Sequence, residues 1–207
     1  MKYGLFGTVI PLMLDKTMYP FVEKQSLDLN MKKYKKKVRS EYKAMVHRFP
    51  GVGPKNNLVM GLYLAAYMLA FYKAAPDKIT EPVFEELVNA LCYCPAMEKM
   101  SKGKNFFTKK NMEARAAHAK RSQTGEQPFD WKFTFSYDMD KPECYINYSE
   151  CAICKMGIRE GCSNLLPYLC ITDYANQEQM GNTLIRTKTL ANGDDRCDFH
   201  IIGGRCS

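Results

Sequence analysis

No apolar run in the 207-residue chain is long enough to cross a membrane. The longest, LVMGLYLAAYMLAFY at 58–72, falls short of the ~20 residues a spanning helix needs. It reads instead as a helix buried on nearly all sides. The opening stretch, MKYGLFGTVIPLMLDK, lacks a basic region followed by a clean apolar run and a small-residue cleavage site, so no secretory signal is expected. Without one, the thiols are expected to be free and the compartment to be a reducing cytoplasm. G-x-S-x-G, H-E-x-x-H, P-loop and dinucleotide fingerprints are all missing, and the reading includes no cofactor. GVGPKN at 51–56 follows no strand, lacks P-loop spacing and reads as a turn. Histidine occurs three times. His47 and His118 fall on charged helices, and no histidine stands where it would deprotonate a thiol. There is no internal repeat and no low-complexity segment beyond the lysine run at 32–37.

Charge is present in excess of one sign, and unevenly. Residues 1–121 hold 22 Lys/Arg against 10 Asp/Glu, a balance of +12; residues 122–207 hold 8 against 12, a balance of −4. The change falls near RSQTGEQPFD. A basic half suits nucleic acid, an anionic membrane surface or an anionic substrate, and also a plain solvated helix face. The lysine run has Tyr34 and Tyr42 nearby but no base-reading motif, so nucleic acid is the weaker reading.

The size and a hydrophobic content of 46% fit a single domain over 1–207, with a helical portion at 1–121 and a sheet-containing portion at 122–207. In the first portion, Tyr34, Val38, Tyr42, Met45, Val46 and Phe49 recur at helical spacing. FPGVGP at 49–54 breaks the chain before the buried helix. Thr80 is a candidate N-cap for a helix carrying Val83, Phe84, Leu87, Val88 and Leu91. MSKGKN breaks again, and a further helix starts near Thr108. After TGEQP the period changes from helical to alternating. Trp131, Phe133, Phe135 and Tyr137 share one face of a half-buried strand, and CYINYSE reads as its partner across a DKPE turn. CAICKMGIRE and SNLLPYLCITDYANQEQM read as helices separated by Gly161. TLIRTKTL and RCDFHII read as strands joined by ANGDD, whose Asn-Gly tolerates positive φ. The fold class expected is α+β: the helical portion packed on an antiparallel sheet of about four strands, with one or two intervening helices.

Six of the nine cysteines lie between 144 and 197. CAIC at 151–154 is a single C-x-x-C, followed by isolated cysteines and no histidine until His200. That is a poor match to a structural zinc site, and no metal is assigned. A redox pair needs its motif at the start of a helix after a strand, which this nearly satisfies, but a βαβ context is missing. Cys170 and Asp173 share a helical face. The carboxylate would raise the thiol's pKa unless a cation such as Arg186 stood close. Arg186 suits either an ion pair with Asp173 or a substrate carboxylate. In the last strand Cys197, Phe199 and Ile201 share one face, and Arg196, Asp198 and His200 the other. Cys197 either packs in the core while Asp198 pairs locally, or both line a pocket; the register is open.

The ordered set of Cys151 opening a helix, Gly161, LLPYLCITDY and IRTKTLANGDDRCDF resembles the L-2-amino-thiazoline-4-carboxylic acid hydrolase family, from about Phe133 to Ile201. The resemblance implies hydrolytic opening of a cyclic amidine-like carbon–nitrogen substrate, a thiazoline bearing a carboxylate, to a carbamoyl-cysteine on the route to cysteine. The matching positions are Cys151, Cys170, Asp173, Arg186, Thr187, Gly193, Cys197 and Asp198. By that resemblance Cys170, Asp173 and Asp198 are the catalytic candidates, with water favoured over the thiol as nucleophile. Arg186, helped by Thr187 or Thr189, would take the substrate carboxylate, with Cys151 and Cys197 lining the site. The partner implied is a small-molecule carboxylate, and assembly into a homo-oligomer stays open. The competing class is a small-molecule sensor without turnover, similar to vinyl-reductase-like ligand-binding domains, to which the apolar helix and thirteen methionines are suited.

Overall fold

The computed structural model describes residues 1–25, 27–53, 56–125 and 127–204. Six helices come first: α1 (Gly4–Lys24), α2 (Met31–Arg48), α3 (Val59–Ala74), α4 (Glu81–Cys92), α5 (Pro95–Ser101) and α6 (Lys109–Thr124). A hairpin of β1 (Lys132–Asp138) and β2 (Glu143–Glu150) follows. Then come α7 (Ala152–Arg159), a 3-10 turn at Ser163–Leu165, α8 (Leu166–Leu169) and α9 (Ile171–Gln179). β3 (Asn182–Ile185) and β4 (Cys197–Gly203) complete an antiparallel sheet of order β1-β2-β4-β3. The α+β class, the helical first portion and the four-stranded sheet are as the sequence predicts.

The helices form where their patterns say they should. Asn30 caps α2 by accepting from the Lys33 N–H at 3.1 Å, and Tyr34, Val38, Tyr42, Met45 and Val46 are buried on one face. Tyr34 donates to the Phe71 carbonyl at 2.8 Å, tying α2 to α3. α3 is buried at eleven positions, and no described helix is long and apolar enough to cross a membrane. Thr108 caps α6 through the Asn111 N–H. Thr80 holds the N-cap position of α4, but among the described residues its side chain accepts no capping bond. Of the FPGVGP break, Pro54 lies outside the described residues. Gly53 N–H and Asn56 both bond Asp130, fastening that loop to the start of β1.

Two expectations need correction. The stretch 163–180 is not one helix: it is interrupted at Cys170, where α8 ends and α9 begins. Pro167 in the first turn of α8 has no N–H to extend a helix backwards. The strand expected over 183–190 also stops at Ile185. Beyond it, the Asp198 carboxylate takes the Thr187 and Lys188 N–H groups at 2.9 and 2.6 Å, so those donors leave the ladder. Gly193 closes the loop at φ 89°, the left-handed conformation that glycine adopts without steric cost.

Register sorts the two faces of the sheet. Phe133 stands opposite Tyr148, and Tyr148 opposite Cys197; Phe135, Ile146 and Phe199 align, as do Ile146's neighbours Cys144 and Ile201, which meets Leu184 on β3. Directly opposed residues share a face, so all of these lie on the face covered by helices. α6 packs on β1, and α9 packs on β3. Asn147 opposite Asp198 and Tyr145 opposite His200 occupy the other face. One continuous set of buried side chains runs from Ile10 on α1 to Ile201 on β4.

Candidate active site

The candidate site lies on the helix-covered face, where β2 turns into α7 and β3 runs out beside α9. Cys151 follows the last residue of β2 and is the N-cap of α7. Its predecessor Glu150 pairs with Lys132 at 2.8 Å and with Lys155, which pins the strand-to-helix corner. Cys154 is buried one turn inside α7. Glycine at 157 brings this helix against α8: a Cβ there would meet Leu166 Cδ2 at 2.5 Å.

Across the corner, Arg186 leaves β3 on the same face. Its Nη1 donates to Asp173 Oδ2 at 2.9 Å and its Nη2 to the Cys170 carbonyl at 3.2 Å. The guanidinium lies 4.7 Å from the Tyr174 ring centroid and 5.1 Å from that of Phe199. The Arg186 side chain is only 4% exposed, whereas Asp173 keeps 42%. Nε of Arg186 is buried without a partner among the described residues. Asp173 is half-exposed beside the buried guanidinium.

The charges respond to these surroundings. Burial pushes the Asp173 carboxyl above the usual carboxylate range, with Arg186 only partly opposing it. Burial, then Asp173, pushes the Cys170 thiol up to about 12 against the pull of Arg186. Cys197 is pushed up to about 11 by burial, although the Leu190 N–H points at its sulfur at 3.2 Å. Cys151 goes the other way. A hydrogen bond from Cys154 lowers it most, and the N–H groups of Cys154 and Ile153 help; burial opposes them. A sulfur at a helix N-terminus gains from the helix dipole. Cys154, the donor, is correspondingly raised.

Of the residues singled out from the sequence, the structure therefore gathers Cys151, Cys170, Asp173, Arg186 and Cys197. It does not add Asp198, Thr187 or Thr189. Asp198 faces the other side of the sheet and spends its carboxylate on the backbone of Thr187 and Lys188 and on the Thr187 hydroxyl at 2.6 Å. Burial alone would raise Asp198; these bonds more than offset it and hold the carboxyl low. The Thr189 hydroxyl accepts from the Asn192 N–H within the loop. Of the two readings open for the Cys197-Asp198 pair, core packing with local pairing is the one adopted.

Sequence reasoning missed two groups. Tyr148 projects from β2 between Phe133 and Phe199, 5.0 and 5.3 Å away by ring centroids. Burial raises its hydroxyl most, Arg115 opposes this, and Asp173, Cys151 and Cys197 add to it. Arg115, on α6, lies half-buried 4.1 Å over the Phe106 ring, and burial lowers it. Among the described residues no carboxylate pairs with it. The sequence held no specific signal for it, since α6 also carries the exposed Arg121; only register could tie it to Tyr148. No group of three or more His, Cys, Asp or Glu among the described residues is arranged to hold a metal ion. Two concavities lie elsewhere, one lined by Phe107, Met112 and the 138–142 turn, the other by Val22, Glu23 and the 27–31 segment, and neither includes a residue of this cluster.

No curated protein and no solved structure matches the chain. A family model described as L-2-amino-thiazoline-4-carboxylic acid hydrolase matches residues 58–201, from the start of the buried helix to the last strand and across every residue of the cluster. The chain belongs to the L-2-amino-thiazoline-4-carboxylic acid hydrolase family.

Proposed function

We propose that this chain hydrolyses a small cyclic amidine that carries a carboxylate, the thiazoline acid of the family name being the first candidate, and releases a carbamoyl-cysteine. The observation that carries this reading is Asp173: a water-reached carboxylate, raised by burial, held by a buried arginine. A base with a raised pKa works close to neutral pH, where it takes a proton from water with a smaller free-energy gap. Asp173 would remove a proton from the attacking water as its oxygen adds to the amidine-like carbon. The ring then opens, and the departing ring atom takes up the proton.

Arg186 is already engaged with Asp173 and Cys170, so in this reading it positions the base rather than receiving the substrate. Arg115 is the better anchor for the substrate carboxylate. It is a half-buried cation, without a carboxylate partner among the described residues, near Tyr148. A desolvated guanidinium binds a carboxylate through two parallel N–H bonds. Cys170 stays protonated at neutral pH, which argues against it as a thiolate nucleophile. Cys151 would face the positive amidinium with its sulfur.

The test is incubation of the purified chain with the thiazoline acid. Loss of the ring sulfur gives a free thiol, which a thiol reagent counts; loss of the ring nitrogen gives an S-carbamoyl product, which mass spectrometry separates. Turnover that falls ~100-fold in Asp173→Asn and shows a raised KM in Arg115→Met supports the assignment. A bound lipophilic molecule and no turnover would favour the sensor reading instead.

A further inference from the structure

The hydrolytic reading gives Cys151 a place at the substrate but leaves its pairing with Cys154 unused. Cys151 is the N-cap and Cys154 the third residue of an eight-residue helix that directly follows a strand. That spacing sets both cysteines at one end of the helix, near enough that each thiol shifts the proton affinity of the other. Cys151 is half-buried and Cys154 is buried. The two are therefore unequal: the N-cap residue is the less buried of the pair. Cys170 and Cys197 stand close enough to influence Cys154. The buried Arg186, with its Nε unpartnered among the described residues, lies beside those two thiols. What the sequence lacked for a redox pair was a parallel βαβ unit. Thiol exchange needs only the local strand-to-helix corner, and this antiparallel sheet supplies one.

We propose that Cys151 and Cys154 form a reversible dithiol–disulfide centre that exchanges with low-molecular-weight disulfides, with Cys151 attacking and Cys154 resolving. In the first step the Cys151 thiolate forms a bond to one sulfur of R–S–S–R, and the other leaves as RS⁻. In the second, the Cys154 sulfur loses its proton and attacks Cys151 Sγ, breaking the mixed disulfide and releasing the second RS⁻, which takes up that proton. Two protein thiols are oxidised to one disulfide, and one small disulfide is reduced to two thiols. The lowered Cys151 and raised Cys154 suit this division of labour, since the thiolate is the nucleophile and the attacking thiol works best near ambient pH. The inference does not depend on hydrolysis.

The experiment equilibrates the whole chain, without air, in buffers of increasing oxidised glutathione, then acid-quenches, alkylates and maps the peptides. The expected result is loss of two alkylatable thiols, a Cys151–Cys154 disulfide, and full recovery on adding dithiothreitol. Cys144, which is wholly buried, stays reduced while the protein stays folded. Cys154→Ser traps glutathione on Cys151, and Cys151→Ser leaves Cys154 unmodified. The proposal is overturned if both thiols stay free in folded protein, or if the bridge joins another pair. It is equally overturned if Cys154→Ser resolves the mixed disulfide at the wild-type rate, or if Cys151→Ser leaves oxidation of Cys154 unchanged.

Discussion

Asp173 and Asp198 show how neighbours decide what a carboxylate does. Asp198 has three hydrogen bonds to Thr187 and Lys188, so its work is to shape the hairpin. Asp198→Ala leaves two backbone N–H groups without their acceptor, and should lower stability by about 1–3 kcal/mol, read as a shift in the denaturant midpoint. Among the thiols, Cys151 is lowered and Cys170 is pushed up to about 12. Iodoacetamide should therefore label Cys151 well before Cys170 at pH 7, and peptide mapping at timed quenches checks the order. Equal rates would contradict the electrostatics described here. The Asp173–Arg186 pair was legible from sequence because both residues flank one helix-to-strand turn. Tyr148 and Arg115 were not, because a strand pattern says which residues share a face but not which residues of another strand or helix stand opposite them.

At the scale of elements, α7 sets the position of both CAIC sulfurs and is held from two sides. Gly157 lets α8 approach, and an added methyl would press into Leu166. Gly157→Ala should cost about 1–3 kcal/mol by overpacking, seen as a lower Tm, unless the two helices move apart. At its other end, Glu160 is 7% exposed and pairs with Lys73 on α3 and Arg48 on α2, both at 2.6 Å. Burial would raise Glu160, but the bonds from Arg48 and Lys73 more than offset it and leave it lowered. Its stabilising contribution is thus present above the unfolded carboxylate pKa and lost as pH falls through the lower folded value. Glu160→Gln should flatten that acid limb in a stability-versus-pH series. Most elements were legible in the chain: the strand period after TGEQP and the helical spacing of α2 to α4 carried through. α1 had no specific signal. It holds Pro11 and Pro20 inside a helix, and burial of Ile10, Leu14, Met18 and Val22 at helical spacing outweighs them. The shortened β3 was illegible because a side chain across the hairpin, Asp198, takes over its ladder donors.

Among the described residues, six of the eight cysteines are buried. Cys92, Cys144 and Cys197 are each pushed up to about 11, and Cys170 to about 12, with burial the first cause in each. Unfolded cysteines titrate near ~8.5, so the native state keeps protons that the unfolded state gives up. Stability from these groups is full below that pH and is lost as pH rises from there towards 12. Urea midpoints should fall steadily above about pH 9, and a flat profile would refute the raised state of the four thiols. The account as a whole rests on which face of the sheet does the chemistry. The most direct measurement is the rate of thiazoline-acid hydrolysis by Asp173→Asn and Asp198→Asn, each corrected for the fraction of folded protein. The account predicts a loss of ~100-fold in the first and wild-type turnover per folded molecule in the second. Full activity in Asp173→Asn, with activity abolished in folded Asp198→Asn, would move the site to the opposite face and contradict it.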